Sequence, residues 1–266
     1  MGNCLLTALP GACTNTALSK IGGLRITVSY RSGESVAPCP VSLYASEALT
    51  VSADGAGYFT DSAGTQNYGA SVSIPAYGED YTTIYPGNAN FSITFSNPYA
   101  LKSLRIGDGN DFSDALAANL SELRFMTQLQ AFSCHGIKVA GNLASLAALS
   151  NLTDISIHGS GVSVTGSLSA LSTLTKLQYL TLPLSSISGD LSALTGLNAL
   201  QFVELSGAAI SGDLSALYGC ANLNLLFLAN TAVTGDLATL REHCPLLTNV
   251  DVSGTAVIES SGEGGA

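Results

Sequence analysis

The sequence predicts an N-terminal all-β segment, a sandwich or small barrel over residues 1–100, followed by a repeat solenoid over residues 101–258 and a flexible tail at 259–266. The solenoid is expected to carry a parallel β-sheet on its concave face. Three observations lead to this fold class. The word ISGDLSAL stands twice, letter for letter, at Ile187 to Leu194 and at Ile210 to Leu217, 23 residues apart. Its glycine recurs at Gly141, Gly166, Gly189, Gly212 and Gly235, with spacings of 25, 23, 23 and 23. Between these landmarks lies a second pattern, LxxLxL. Self-similarity at such a period marks a stack of units, here about seven, none of which buries its apolar face alone.

The first hundred residues lack the repeat. Their texture is short alternating runs, LRITVSY, CPVSLYA, LTVSA, ASVSIPA and FSITFS, punctuated by DG, GN and Pro or Gly clusters. Alternation at period two between turn signals is the pattern of antiparallel strands. Eight of the ten tyrosines also lie before residue 100. This segment is expected to cap the first repeat. A helix is expected next, over about Ser113 to Thr127, with Leu116, Leu120 and Leu123 on one face and Asp111 or Ser113 as its N-cap. It would account for a first repeat interval of 28 residues.

The LxxLxL pattern then runs through LKSLRI (101–106), LQAFSC (129–134), LTDISI (152–157), LQYLTL (177–182), LQFVEL (200–205), LNLLFL (223–228) and LTNVDV (247–252). One short strand per repeat predicts parallel strands stacked in register, with the apolar letters turned to a shared core. On these residues the chain resembles the leucine-rich repeat family, with a consensus near LxxLxxLxLsgtaisGdLsaL. Its G-D-L step resembles the G-x-I-P step of the plant-type subclass, which implies a short second strand after the bend. The family's usual asparagine after LxxLxL is replaced by Ser160, Ser185, Ala208, Thr231 and Thr255. Hydroxyls at four of these positions are able to satisfy backbone groups in the bend, and Ala208 is not.

Composition narrows the function. The net charge is −10 and only 11% of residues are charged. Nucleic-acid binding is disfavoured, because phosphate affinity rests on Lys and Arg, and beyond Gly141 these are Lys176 and Arg241 alone. An anionic membrane surface is disfavoured for the same reason, and no apolar run reaches the length of a membrane span. The opening MGNCLLTALPGAC has no basic residue before Lys20 and makes a poor signal peptide, so synthesis in a cytoplasm is expected. Of the six cysteines, Cys134 is expected in the core, and Cys220 and Cys244 in equivalent places on neighbouring repeats, as stacked thiols or, in an oxidising compartment, a bridge.

Three constellations stand out. Asp190, Asp213 and Asp236 hold one place in successive repeats, forming a structural ladder whose carboxylates are expected to accept backbone N–H bonds. Bridging Ca²⁺ is the alternative there, but it wants six to eight oxygens and the column has no second acidic letter, so no cofactor is expected. Tyr179, Phe202, Leu225 and Phe227 form one exposed apolar patch beside Glu204 on the concave face, and such a patch marks contact with a partner or with a second copy of the chain. His135 and His158 share a column but lack a third firm ligand, so no metal site is expected. GDGND at 107–111 lacks the spacing of a calcium loop, and no nucleophile elbow, P-loop, HExxH or dinucleotide motif stands in the sequence.

A non-enzymatic interaction or structural module follows. NCLLTALPGACTNTALSKIGGLRI, the Gly57 to Asp61 stretch and the SGDL repeats together resemble leucine-rich-repeat structural proteins of tailed bacteriophages of gut anaerobes. That resemblance implies a virion component, a tail, fibre or capsid-decorating protein, assembled in the host cytoplasm. Its partners would be other virion proteins, itself, or a host surface protein or glycan. The alternatives are a bacterial surface or secreted adhesin, and a glycan-acting enzyme using Asp154 and Glu204, which would need a defined carboxylate separation.

Overall fold

Leucines three residues apart shape one side of every repeat. In the sequence LSALTGLNAL, the amides of Leu197 and Leu200 donate to the carbonyls of Leu194 and Leu197 at 3.0 and 3.1 Å. Leu191–Leu194 is a 3-10 helix and these two bonds close turns of the same reach after it, so Leu191, Leu194, Leu197 and Leu200 recur every third residue on one side. All four are fully buried. The computed structural model describes residues 2–7, 25–30, 41–53, 59–60, 66–74, 82–86, 91–107, 117–136, 138–159, 162–183 and 185–260. They gather into two compact units, Met1–Gly141 with His158–Val162, and Asn142–Ile157 with Ser163–Ala266.

In the second unit each repeat supplies two strands and a helical turn. The LxxLxL strands Tyr179–Thr181, Phe202–Glu204, Leu225–Phe227 and Asn249–Asp251 are parallel, and Asp154–Ser156 pairs with the first of them. Their register equals the repeat, Tyr179↔Phe202↔Leu225↔Asn249, so equivalent letters stand side by side. The second strands, Ser163–Ser167, Ser186–Asp190, Ala209–Asp213, Ala232–Asp236 and Ala256–Ile258, form another parallel ladder. Here the pairs run Ser188↔Ala209 and Gly189↔Ile210, two residues short of the repeat. A slip of two keeps every side chain on its own face.

That slip brings the residue that caps each turn against the next repeat's glycine. Asp190 and Asp213 are N-caps of the 3-10 turns Leu191–Leu194 and Leu214–Leu217. A Cβ on Gly212 would lie 2.6 Å from Asp190 Oδ1, and Gly212 has φ +103°, so backbone conformation and close approach both require glycine there.

The last repeat differs. Cys244 follows Leu240 by four residues where Cys220 follows Leu217 by three, and the turn becomes the α-helix Leu237–His243, with Cys244 N donating to Leu240 O at 2.8 Å. Val250, Val252 and Val257 are only half-buried, whereas Leu226, Leu228 and Val233 one repeat earlier are fully buried.

In the first unit, the runs read as strands are strands: Arg25–Tyr30, Val41–Ala45, Leu49–Ala53, Ser71–Ile74 and Phe91–Phe95. Gly2–Thr7, Phe59–Thr60, Asn67–Gly69 and Thr82–Pro86 join them. One sheet pairs Ala117–Asn119 with Gly2–Thr7 in parallel and continues through antiparallel Arg25–Tyr30, Phe91–Phe95, Leu49–Ala53 and Ser71–Ile74. The other passes from Leu101–Ile106 through antiparallel Val41–Ala45, Thr82–Pro86, Phe59–Thr60 and Asn67–Gly69. Antiparallel strands thus occupy the edges of the first repeat strands.

Over its described part, residues 117–127, the helix expected over Ser113 to Thr127 is not formed. Residues 117–119 are a strand and Leu120–Phe125 a 3-10 helix, capped by Asn119, whose Oδ1 accepts from Ser121 N at 3.0 Å. Asp111, Ser113 and Leu116 lie outside the described residues. The physical reason is that ANLSEL at 118–123 repeats the GDLSAL step, so the chain turns here as in every later repeat.

Leu205→Ala removes a fully buried core letter and is expected to destabilise by about 2 to 5 kcal/mol in denaturant unfolding. Gly196 also has positive φ, but nothing lies within 4 Å of where an alanine would place its Cβ. Gly212→Ala is therefore expected to lower the unfolding midpoint more than Gly196→Ala, because it also displaces the Asp190 cap.

Candidate functional site

The sheet face built from the LxxLxL strands of the second unit carries the residues expected to bind. Short strands in register set two outward columns: Asp154, Tyr179, Phe202, Leu225, Asn249 and, beside it, Ser156, Thr181, Glu204, Phe227, Asp251. Tyr179 is exposed at 39%, but Phe202, Glu204, Leu225 and Phe227 are half-buried. The patch is thus less open than expected, because neighbouring side chains at strand spacing shield one another. Phe202 and Phe227 meet edge to face, ring centroids 5.7 Å apart at 78°. Glu204 stands in register between Thr181 and Phe227, and its Oε1 accepts from Ser206 N at 2.9 Å. Asp251 stands on the other side of Phe227 and accepts from Ser253 N at 2.9 Å.

A polar ladder borders this face. Tyr179 OH donates to Gln201 Oε1 at 2.9 Å, Gln201 Nε2 donates to Gln178 Oε1 at 3.3 Å, and Thr248 Oγ1 donates to Asn224 Oδ1 at 2.5 Å. The first two of these bonds link the tyrosine hydroxyl to the glutamines of two neighbouring repeats.

The aspartate column is a capping device. Asp190, Asp213 and Asp236 accept from the amides of Ser192, Ser215 and Ala238 at 2.9, 2.9 and 3.0 Å. Those backbone bonds, followed by bonds from the serine hydroxyls, hold the carboxyls of Asp190 and Asp213 below the usual range. Asp236 is lowered further, first by the hydroxyl and then by the amide of Ser260, both of which donate to it. Asn119, Asn142 and Ser167 take the same capping place without charge. The hydroxyls after LxxLxL also find backbone partners: Ser185, Thr231 and Thr255 donate to the carbonyls of Leu182, Leu228 and Val252 at 2.8, 2.7 and 2.6 Å. Ala208 has no such group, and Ser160 lies outside the described residues.

In the first unit, His135 and His158 stack, ring centroids 3.9 Å apart at 30°, and His135 Nε2 lies 2.8 Å from Ser133 Oγ. Burial lowers the pKa of both, and His158 and Arg105 lower that of His135 further. No group of three metal-ligating side chains occurs among the described residues. Cys134, Cys220 and Cys244 are buried free thiols. The Sγ atoms of Cys220 and Cys244 donate to the carbonyls of Leu197 and Leu217 at 3.5 and 3.4 Å, and burial pushes Cys220 up to about 11. The GDGND segment beyond Gly107 lies outside the described residues. A separate open depression in the first unit is lined by Phe59, Tyr68, Ser73 and Tyr85.

No protein-family model matches the chain, and no curated protein does. Solved structures similar to it are repeat proteins. The leucine-rich repeat ectodomain of the plant membrane receptor kinase GASSHO1/SCHENGEN3 from Arabidopsis thaliana aligns at 20% identity and TM-score 0.43, over 53% of this chain and 20% of that one. Internalin C2 from Listeria monocytogenes aligns at 15% identity and TM-score 0.44, over 62% of this chain and 77% of that one. A leucine-rich repeat protein of Leptospira interrogans aligns at 17% identity and TM-score 0.41, over 53% and 42%. The chain thus spans a fifth of the length of the first of these ectodomains.

The histidine pair gives a pH signature. Folded pKa values below the ordinary 6.5 mean that the unfolded chain takes up protons first as pH falls. Stability is expected to be full above about pH 6.5 and to fall from there through the folded pKa values. His135→Gln with His158→Gln is expected to flatten that part of a plot of unfolding midpoint against pH.

Proposed function

We propose that this chain is a non-enzymatic protein-interaction module whose recognition surface is the sheet face bearing Tyr179, Phe202, Glu204, Leu225 and Phe227. The observation that supports this is the in-register aromatic and aliphatic strip on a paired sheet face, where apolar groups stay partly in water and gain from being covered. Residues 1–100 serve as the β-rich docking and capping part and residues 101–258 as the repeat part. The aspartate column is structural.

Within this reading the chain is a structural component of a tailed-bacteriophage particle, in line with its resemblance in the opening words and the SGDL repeats. Fractionating a producing culture on a density gradient tests the location. Co-migration with DNA-filled particles is the expected result, and recovery with cell envelopes would replace this reading with a bacterial adhesin.

Phe202→Ser and Phe227→Ser are expected to leave the circular dichroism spectrum unchanged and to lower the unfolding midpoint less than Leu205→Ala, since each ring is half-buried and gives up its edge-to-face partner, while weakening association with the co-purifying particle protein. Unchanged association would place the binding surface elsewhere.

A further inference from the structure

The partner's chemistry is written in the charges around Phe227. From Asn142 onward the sequence holds nine acidic and two basic side chains. Neither base is on the binding face: Lys176 donates to Asn151 Oδ1 at 2.8 Å, and Arg241, on the helix Leu237–His243, pairs with Glu259. Asp154, Glu204 and Asp251 are on that face, and none makes an ion pair among the described residues. The face therefore joins aromatic surface to uncompensated negative charge.

The arrangement is specific. One outward column runs Thr181, Glu204, Phe227, Asp251 across adjacent strands, so a phenyl ring stands between two carboxylates about 10 Å apart, twice the strand spacing. Phe202 closes the wall edge to face. Glu204 and Asp251 each accept one backbone amide two residues ahead, which fixes the carboxylate. A carboxylate has about four lone-pair sites, so each keeps acceptor capacity for a ligand.

Resting on the proposed protein-binding reading, we infer that this face binds an extended basic segment of another protein, seating an arginine side chain over Phe227 between Glu204 and Asp251. A guanidinium is planar and weakly hydrated, stacks on aromatic faces and bonds a carboxylate through two parallel N–H donors. Tyr179 and Leu225 then meet the segment's aliphatic side chains. The negative face repels nucleic acid, and a neutral glycan would leave both carboxylates uncompensated.

The test pans a random dodecapeptide phage-display library against the immobilised full chain, then titrates synthetic copies of the enriched peptides by fluorescence anisotropy. The expected result is enrichment in arginine and binding that weakens with salt. Affinity should fall about tenfold in Glu204→Gln, in Asp251→Asn and on replacing the peptide arginine with citrulline, as for loss of a charge-assisted bond. Both substitutions keep an oxygen able to accept the backbone amide, and circular dichroism checks the fold. Neutral or acidic peptides that need Phe202 and Phe227 but not the carboxylates would overturn the arginine site and leave the protein-binding reading standing. No enrichment, or peptides indifferent to all four residues, would overturn both. Glycan-array binding abolished by the same Phe202→Ser and Phe227→Ser variants would also overturn both, replacing the protein partner with a sugar.

Discussion

Burial shared between neighbouring repeats is the constraint on which the second unit depends. A 23-residue repeat has too little chain to enclose its own apolar side, so Leu191, Leu194, Val203 and Leu205 are buried only because the flanking repeats stand against them. That requirement fixes the register of the LxxLxL strands, since a shift of one residue would turn every core letter to water. It also fixes the turns: three-residue leucine spacing demands 3-10 geometry, and the single four-residue step before Cys244 yields an α-helix instead.

Backbone polar groups then have to be satisfied within so thin a layer. The strands settle most of them through their ladders. The turn starts are settled by Asn119, Asn142, Ser167, Asp190, Asp213 and Asp236, whose side-chain oxygens each accept an amide of the turn that follows. The bends are settled by Ser185, Thr231 and Thr255. Three carboxylates in one column are tolerated because each is bonded to amides and hydroxyls and remains in contact with solvent, which screens their repulsion. The proposed binding face is the exception to this economy. Glu204 and Asp251 are held by the backbone, have no cation beside them among the described residues, and border apolar rings.

Much of this was legible in the sequence. Period-two alternation located the LxxLxL strands and five strands of the first unit, and the position of a letter in LxxLxL told which side chains face out, because a strand's two faces alternate without regard to distant contacts. The Ser113 to Thr127 segment was harder. Leu116, Leu120 and Leu123 fit a helical face, yet Leu120 and Leu123 equally fit the turn leucines of GDLSAL, and Asn119 in the capping place decides for the turn. Degree of exposure was not legible either. Phe202, Leu225 and Phe227 are shielded by neighbours that lie next to them only once the strands are paired. The stacking of His135 on His158 depends on pairing in the same way.

In the 266-residue chain, the layer holding the half-buried Val250, Val252 and Val257 has a consequence for how the second unit comes apart. In a linear array, where each layer is held chiefly by its neighbours, the layer with least buried surface opens first, and its opening strips cover from the one before. Melting then travels as a front rather than starting everywhere at once. Amide exchange would record it as a gradient, fastest near Val257 and slowing stepwise toward Leu180, with Ala208, the bend lacking a hydroxyl tether, as the place where the front gains speed.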